Sequence, residues 1–218
     1  MFKYIFFDLD GTLTDSKEGI LNCLKHSITK LGDEIPCEEK LLKFIGPPLL
    51  DSYMNFCGYS EQKARQAIEF YRQRYEPIGK FENTPVAGGV ELCKRLKEKG
   101  YILALASSKP EHMCKDICDE YGFTPYLDTI SGSHPGDDET KADVIRKAIS
   151  RLGLGESDRE NILMVGDRKF DVLGAKACGI ACIGVEFFGY AEPGELMNAG
   201  AIAVVNSCSA LEDYILSH

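Results

Sequence analysis

No stretch of this 218-residue chain reaches the roughly 18 consecutive apolar residues of a membrane span. The early apolar run Tyr4-Ile5-Phe6-Phe7, after Lys3, is interrupted by Asp8 and Asp10 before it attains the length of a signal-peptide core. Basic clusters are missing as well. With 25 Lys and Arg against 34 Asp and Glu, the formal net charge is -9, which argues against a nucleic-acid partner because non-specific affinity for phosphate backbones comes from clustered Lys and Arg. An acidic chain repels anions, so any anionic substrate must be held by a local positive site built from a metal, a lysine and backbone N–H groups. The nine cysteines are odd in number and never spaced as C-x-x-C, so neither a disulfide framework nor a zinc site is suggested, and reduced thiols in a cytoplasm are the expectation. Internal repeats and low-complexity tracts are absent.

What is present is ordinary globular composition, 44% hydrophobic and 27% charged, enough for one large domain or two small ones. Residues 3–7 form a short apolar run that reads as a buried parallel strand, and similar runs occur at 101–106, 161–165, 180–185 and 202–205. Helical patterns lie between them at 89–99, 110–121, 139–152 and 170–178, each closed by a glycine. Alternation of this kind predicts an α/β fold with a doubly wound, Rossmann-like parallel sheet. Residues 16–76 break it: Ile20, Leu24, Ile28 and Leu31 recur at helical spacing, Pro36 can open a second helix, and Ser60 can cap a third. The sequence therefore predicts a core of residues 1–15 and 81–218 and an inserted all-helical domain of residues 16–80.

The run Asp8-Leu9-Asp10-Gly11-Thr12-Leu13-Thr14 follows the first strand directly. Carboxyl ends of parallel strands are where ligands bind, so both carboxylates are expected at the rim of a crevice, on one face of an extended segment. An EF-hand loop is excluded, since Leu13 stands at the sixth position and Gly19 at the twelfth. A second acidic pair, Asp167 and Asp171, sits in Gly166-Asp167-Arg168-Lys169-Phe170-Asp171 after the 161–165 run. The two acids could merely cap a helix; with Asp8 they form an oxygen-ligand set suited to a hard divalent cation. Ser107-Ser108-Lys109-Pro110 follows the 101–106 run, where a serine and helix-start N–H groups can bind phosphate oxygens. Lys141 near a helix start could equally pair with Asp138 or Glu139 at the surface. His112, Cys114 and Cys118 share one helical segment, but spacing puts His112 and Cys114 on different faces, which favours packing over metal binding. His134 could touch substrate but reads rather as a surface-loop residue in the unusual segment 131–138, which is expected to shape a site entrance.

Taken together, DLDGT at 8–12, Ser107, Lys141 and GDRKFD at 166–171 resemble the four motifs of the haloacid dehalogenase superfamily. The resemblance extends through FIGPPL at 44–49 and VGDRKFDVLGAKACGIACIGV at 165–185, spans essentially the whole chain, and is similar to the phosphoglycolate phosphatase-like branch with a helical cap and to bacterial 5′-nucleotidases. It implies a Mg2+-dependent phosphatase acting on a small phosphorylated metabolite, phosphoglycolate or a nucleoside 5′-monophosphate, with a cap that reads the leaving group. By the same resemblance Asp8 is the nucleophile, Asp10 the general acid and base, and Lys141 and Ser107 grip the phosphoryl oxygens with Gly11, Thr12 and Ser108 nearby. Mg2+ would sit on Asp8, the Asp10 backbone carbonyl and Asp167, with Asp171 behind them or steadying Lys141. Ser108 departs from the asparagine common in relatives, which puts one side-chain amide contact in doubt. A sugar-phosphate phosphomutase and a non-catalytic phosphometabolite-binding protein are the alternatives. A receiver domain is disfavoured because its acceptor follows a middle strand.

Overall fold

The computed structural model describes residues 1–134 and 139–218. In chain order the elements are β1 (Tyr4–Phe7), β2 (Thr14–Asp15), α1 (Lys17–Lys30), α2 (Glu38–Leu42), α3 (Leu49–Cys57), α4 (Glu61–Tyr75), β3 (Thr84–Pro85), α5 (Gly89–Glu98), β4 (Ile102–Pro110) and α6 (Glu111–Glu120). They continue as β5 (Thr129–Ser133), α7 (Lys141–Arg151), β6 (Ile162–Gly166), α8 (Lys169–Ala177), β7 (Ala181–Val185), α9 (Glu195–Ala199), β8 (Val204–Val205) and α10 (Cys208–Ser217). Two compact units result, Met1–Thr14 with Pro85–His218, and Asp15–Thr84.

The first unit is the expected doubly wound fold. Its six strands run in the order β5-β4-β1-β6-β7-β8, with every pairing parallel. Side chains alternate across a strand, and here both alternating sets are apolar. Tyr4 and Phe6 join Ala104, Ala106 and Met164 in one core. Ile5 and Phe7 join Leu103, Leu105 and Val165 in another. A sheet that is apolar on both faces must be covered on both, which is why its strands read as continuous apolar runs.

The second unit is helical, as the 3.6-residue periodicity of 16–76 requires. Ile20, Leu24 and Ile28 of α1 and Ala64, Ala67, Tyr71 and Tyr75 of α4 are buried, the apolar stripe each helix needs to pack on a neighbour. Ser60 caps α4 by accepting from the Lys63 N–H at 3.3 Å. Residues 81–84, which the sequence boundary leaves with the core, belong to this unit: Gly19 N–H donates to the Glu82 carbonyl at 2.9 Å, and Arg74 grips the Glu82 carboxylate at 2.6 and 2.8 Å.

Several elements differ from the sequence reading. Pro36 stands before α2, whose cap position is Cys37. β4 runs on through Ser107 to Pro110, because β5 pairs with its irregular end. β5 itself, with the sequence TISGS, carries too few apolar residues to announce a strand, and the separate helices α3, α9 and α10 were likewise not legible. Among the described residues no helix is long and apolar enough to cross a membrane.

Candidate active site

The strand order creates one special place. After β1 the chain builds β4 and β5 on one side, then crosses over to build β6, β7 and β8 on the other. Where the winding reverses, the carboxyl ends of the strands leave a crevice that covering loops cannot fill, and ligands bind there. Asp8 follows β1, Ser107 and Lys109 lie in the last residues of β4, and Asp167 follows β6.

The turn after β1 is fastened by its backbone. Asp8 N–H donates to the Val165 carbonyl at 2.9 Å, and the N–H groups of Leu13 and Thr14 both converge on the Leu9 carbonyl at 3.0 Å. Gly11 has φ of +79°, and a Cβ there would stand 2.1 Å from a carboxylate oxygen of Asp167. Only glycine satisfies both the left-handed backbone and that approach.

Lys141 is the first residue of α7, a start defined by a capping box between Thr140 and Asp143. Although charged it is 7% exposed, and its ammonium lies 2.7 Å from Asp8 Oδ1 and 2.7 Å from Asp171 Oδ1. Asp171 is placed by the first turn of α8, where its Oδ2 accepts the Arg168 N–H at 3.0 Å. Asp167 is 4% exposed and accepts the Thr12 hydroxyl at 3.5 Å, so that hydroxyl is engaged by a carboxylate. Glu139, the other candidate partner of Lys141, pairs with Lys147 at 3.1 Å instead, and Asp138 lies outside the described residues.

Charge is unbalanced in this cluster. Burial, with the charges of Asp171 and Asp8, pushes the Asp167 carboxyl well above the usual carboxylate range. Burial also raises Asp171, to about 6, with Lys141 pulling down and Asp8 pushing up. Lys141 is disfavoured as a cation by burial, yet Asp171 and Asp8 outweigh that and raise its pKa. Asp8, Asp167 and Asp171 offer oxygens all within 4.8 Å of one another. Three crowded carboxylates facing one ammonium suit a hard divalent cation, which would remove the mutual repulsion.

The Asp10 carboxylate is not part of that cluster. Its Oδ2 pairs with the Lys109 ammonium at 3.0 Å, so the two acids of the DLD run have different partners although the sequence puts them on one face. Ser107 is buried and its Oγ accepts the Lys109 N–H at 3.4 Å. Ser108 is exposed, and its carbonyl accepts the Ser133 hydroxyl at 3.0 Å. His134 is exposed, its N–H bonded to Glu139 at 2.7 Å; residues 135–138 of the expected entrance segment lie outside the described residues. His112 is exposed while Cys114 and Cys118 are buried in the core. Sequence reasoning missed Lys109, and also Glu195, whose carboxylate holds the Arg168 guanidinium at 2.9 Å and the Lys169 N–H at 2.9 Å.

A doubly wound sheet whose winding reversal carries buried carboxylates and a buried lysine defines a catalytic α/β domain. The family model for haloacid dehalogenase-like hydrolases matches residues 5–185, and the chain belongs to that family. It is 37% identical to a 5′-nucleotidase of Pseudomonas aeruginosa over 98% of this chain and 96% of that protein. It is 32% identical to the tyrosine-protein kinase PtkA of Mycobacterium tuberculosis over 97% of this chain and 70% of that protein. A crystal structure described as a predicted phosphatase from Clostridium acetobutylicum superposes with a TM-score of 0.92 at 40% identity, with 100% of each chain covered.

Proposed function

We propose that this hydrolase is a Mg2+-dependent phosphatase that takes the phosphoryl group of a small phosphomonoester onto Asp8. The observation that carries this reading is the Asp8 carboxylate set 2.7 Å from a buried ammonium, with two further buried carboxylates beside it. A carboxylate oxygen of Asp8 attacks phosphorus as the bond to the leaving oxygen breaks, giving an aspartyl-phosphate. Asp10 gives its proton to the departing alkoxide and then takes one from the water that attacks the aspartyl-phosphate, so inorganic phosphate leaves and Asp8 is regenerated. Lys141 and Ser107 hold phosphoryl oxygens and offset charge as the transition state forms, while Asp171 steadies Lys141. Asp8, Asp167 and the Asp10 carbonyl would hold Mg2+, which would supply positive charge to lower repulsion between anionic nucleophile and anionic substrate. The inserted helical unit serves as the cap, and the reducing cytoplasm is the expected setting.

Nucleoside 5′-monophosphates and phosphoglycolate are the proposed substrates, the former supported by the 5′-nucleotidase name of a relative that matches nearly end to end. Turnover of p-nitrophenyl phosphate with Mg2+ by the wild type and by Asp8→Asn tests the mechanism, and unchanged activity in the variant refutes it. Phosphate release across a panel of small esters then assigns the substrate. Transfer to a second molecule without release would favour a phosphomutase or kinase-like transferase, and no turnover of any ester would favour a binding protein.

A further inference from the structure

The buried ammonium of Lys109 has no part in the mechanism above, yet the fold goes to some length to place it. Between the pairs Ala106 with Ser131 and Pro110 with Ser133 the register of β4 against β5 shifts, and such irregularities re-aim side chains at sheet ends. A Cβ on Gly132 would stand 2.6 Å from the Lys109 carbonyl, so β5 packs directly on this stretch of backbone. The Lys109 side chain is 8% exposed, and its Nζ lies 3.0 Å from Asp10 Oδ2. A charged amine withdrawn from water to this degree costs several kcal/mol without a close partner, and Asp10 offers one at ion-pair distance. The other carboxylate oxygen, Asp10 Oδ1, is buried and accepts no hydrogen bond among the described residues.

One oxygen clamped and one left open is the arrangement a proton carrier needs. A carboxylate free to rotate would spend part of its time with neither oxygen toward the leaving group, and proximity in a fixed orientation is a large share of catalytic power. We propose that Lys109 is a positioning residue for Asp10: it fixes Oδ2 so that Oδ1 alone exchanges the proton, first with the leaving alkoxide and then with the attacking water. Lys109 itself neither gains nor loses a proton, and it does not touch the phosphoryl group. The inference rests on the reading of Asp10 as the proton carrier.

Its test is the dependence of rate on the leaving group, since a good leaving group departs with little help from an acid and a poor one does not. For wild type, Lys109→Met and Lys109→Arg, kcat/KM is measured with p-nitrophenyl phosphate, phenyl phosphate and propyl phosphate in the presence of Mg2+. General acid catalysis is worth about 100-fold or more, so Lys109→Met is expected to lose about 100-fold on propyl phosphate and under about 5-fold on p-nitrophenyl phosphate. Lys109→Arg should recover most of the alkyl activity. In an Asp10→Asn background the Lys109→Met change should have almost no further effect, because residues acting as one unit are not additive. Equal losses on all three esters would overturn the proposal, as would an effect confined to KM or one that persists in the Asp10→Asn background. If instead wild type releases no phosphate, or Asp8→Asn stays active, the phosphatase reading fails and not merely the role of Lys109.

Discussion

Two lysines meet acids at the same edge of the sheet, and they meet them in different proportions. Lys141, on the α7 side, faces Asp8 and Asp171 at 2.7 Å each, with Asp167 in the same cluster. Lys109, in the irregular end of β4, faces Asp10 at 3.0 Å. The first group carries more carboxylates than its one ammonium can balance, and burial, together with that crowding, raises the pKa of Asp167 and Asp171. In the second, Asp10 Oδ2 is held by an ammonium while Oδ1 accepts no hydrogen bond among the described residues. A cluster of crowded carboxylates has something to gain from a cation and an electrophilic phosphoryl group, while a carboxylate held at one oxygen has an orientation to keep. In the proposed mechanism the two neighbourhoods divide nucleophile from proton carrier, although both acids belong to one short run of sequence.

Removing Lys141 should have the largest effect. Lys141→Met leaves three crowded carboxylates, those of Asp167 and Asp171 buried, without their ammonium, so the metal-free protein is expected to lose about 3 kcal/mol or more in urea denaturation. Loss of the charge that offsets the transition state should lower kcat/KM about 1,000-fold. A smaller effect is expected from Mg2+ on thermal stability. The Asp171 carboxyl rises from 3.8 to about 6 on folding, so the stability it contributes is full below pH 3.8 and is lost as pH rises through 6. A cation that binds only the folded, ionised cluster should reverse that loss, adding about 2.7 kcal/mol at a hundredfold excess over its dissociation constant. The rise in Tm on adding Mg2+ should therefore be larger at pH 8 than at pH 5, and equal rises would contradict the placing of the cation on these carboxylates. Smallest of the three is the stability change in Lys109→Met. Water can reach the partly exposed Asp10 left behind, whose side chain is 21% exposed, so about 1 kcal/mol is expected, with the Tm response to Mg2+ intact.

Much of the architecture was readable from local pattern. Apolar runs such as Tyr4–Phe7 and Ile162–Gly166 are long enough in β-favouring residues to define strands, and the acids that directly follow them had to fall at strand ends. The Thr140 cap similarly puts Lys141 at the first turn of a helix. Elements defined by their neighbours were not readable. TISGS becomes β5 because β4 offers it an edge to pair with, and Val204–Val205 is all that remains of a longer apolar run once pairing with β7 sets its length. Lys109 carries no local signal for the same reason: its meeting with Asp10 accompanies a register shift and the close packing of Gly132 in β5, and nothing within a few residues of it signals either. Nor does spacing tell that Asp8 pairs with Lys141 and Asp10 with Lys109, since both lysines come from distant parts of the chain.

The central claim is that the phosphoryl group rests on Asp8, and it can be observed without reference to any particular substrate. Wild type mixed with excess p-nitrophenyl phosphate and Mg2+, quenched in acid within a fraction of a turnover and digested, should yield by mass spectrometry a peptide carrying one phosphoryl group at Asp8, lost on treatment with hydroxylamine. Steady turnover with no modified Asp8 peptide, or with the label on another residue, would contradict the account.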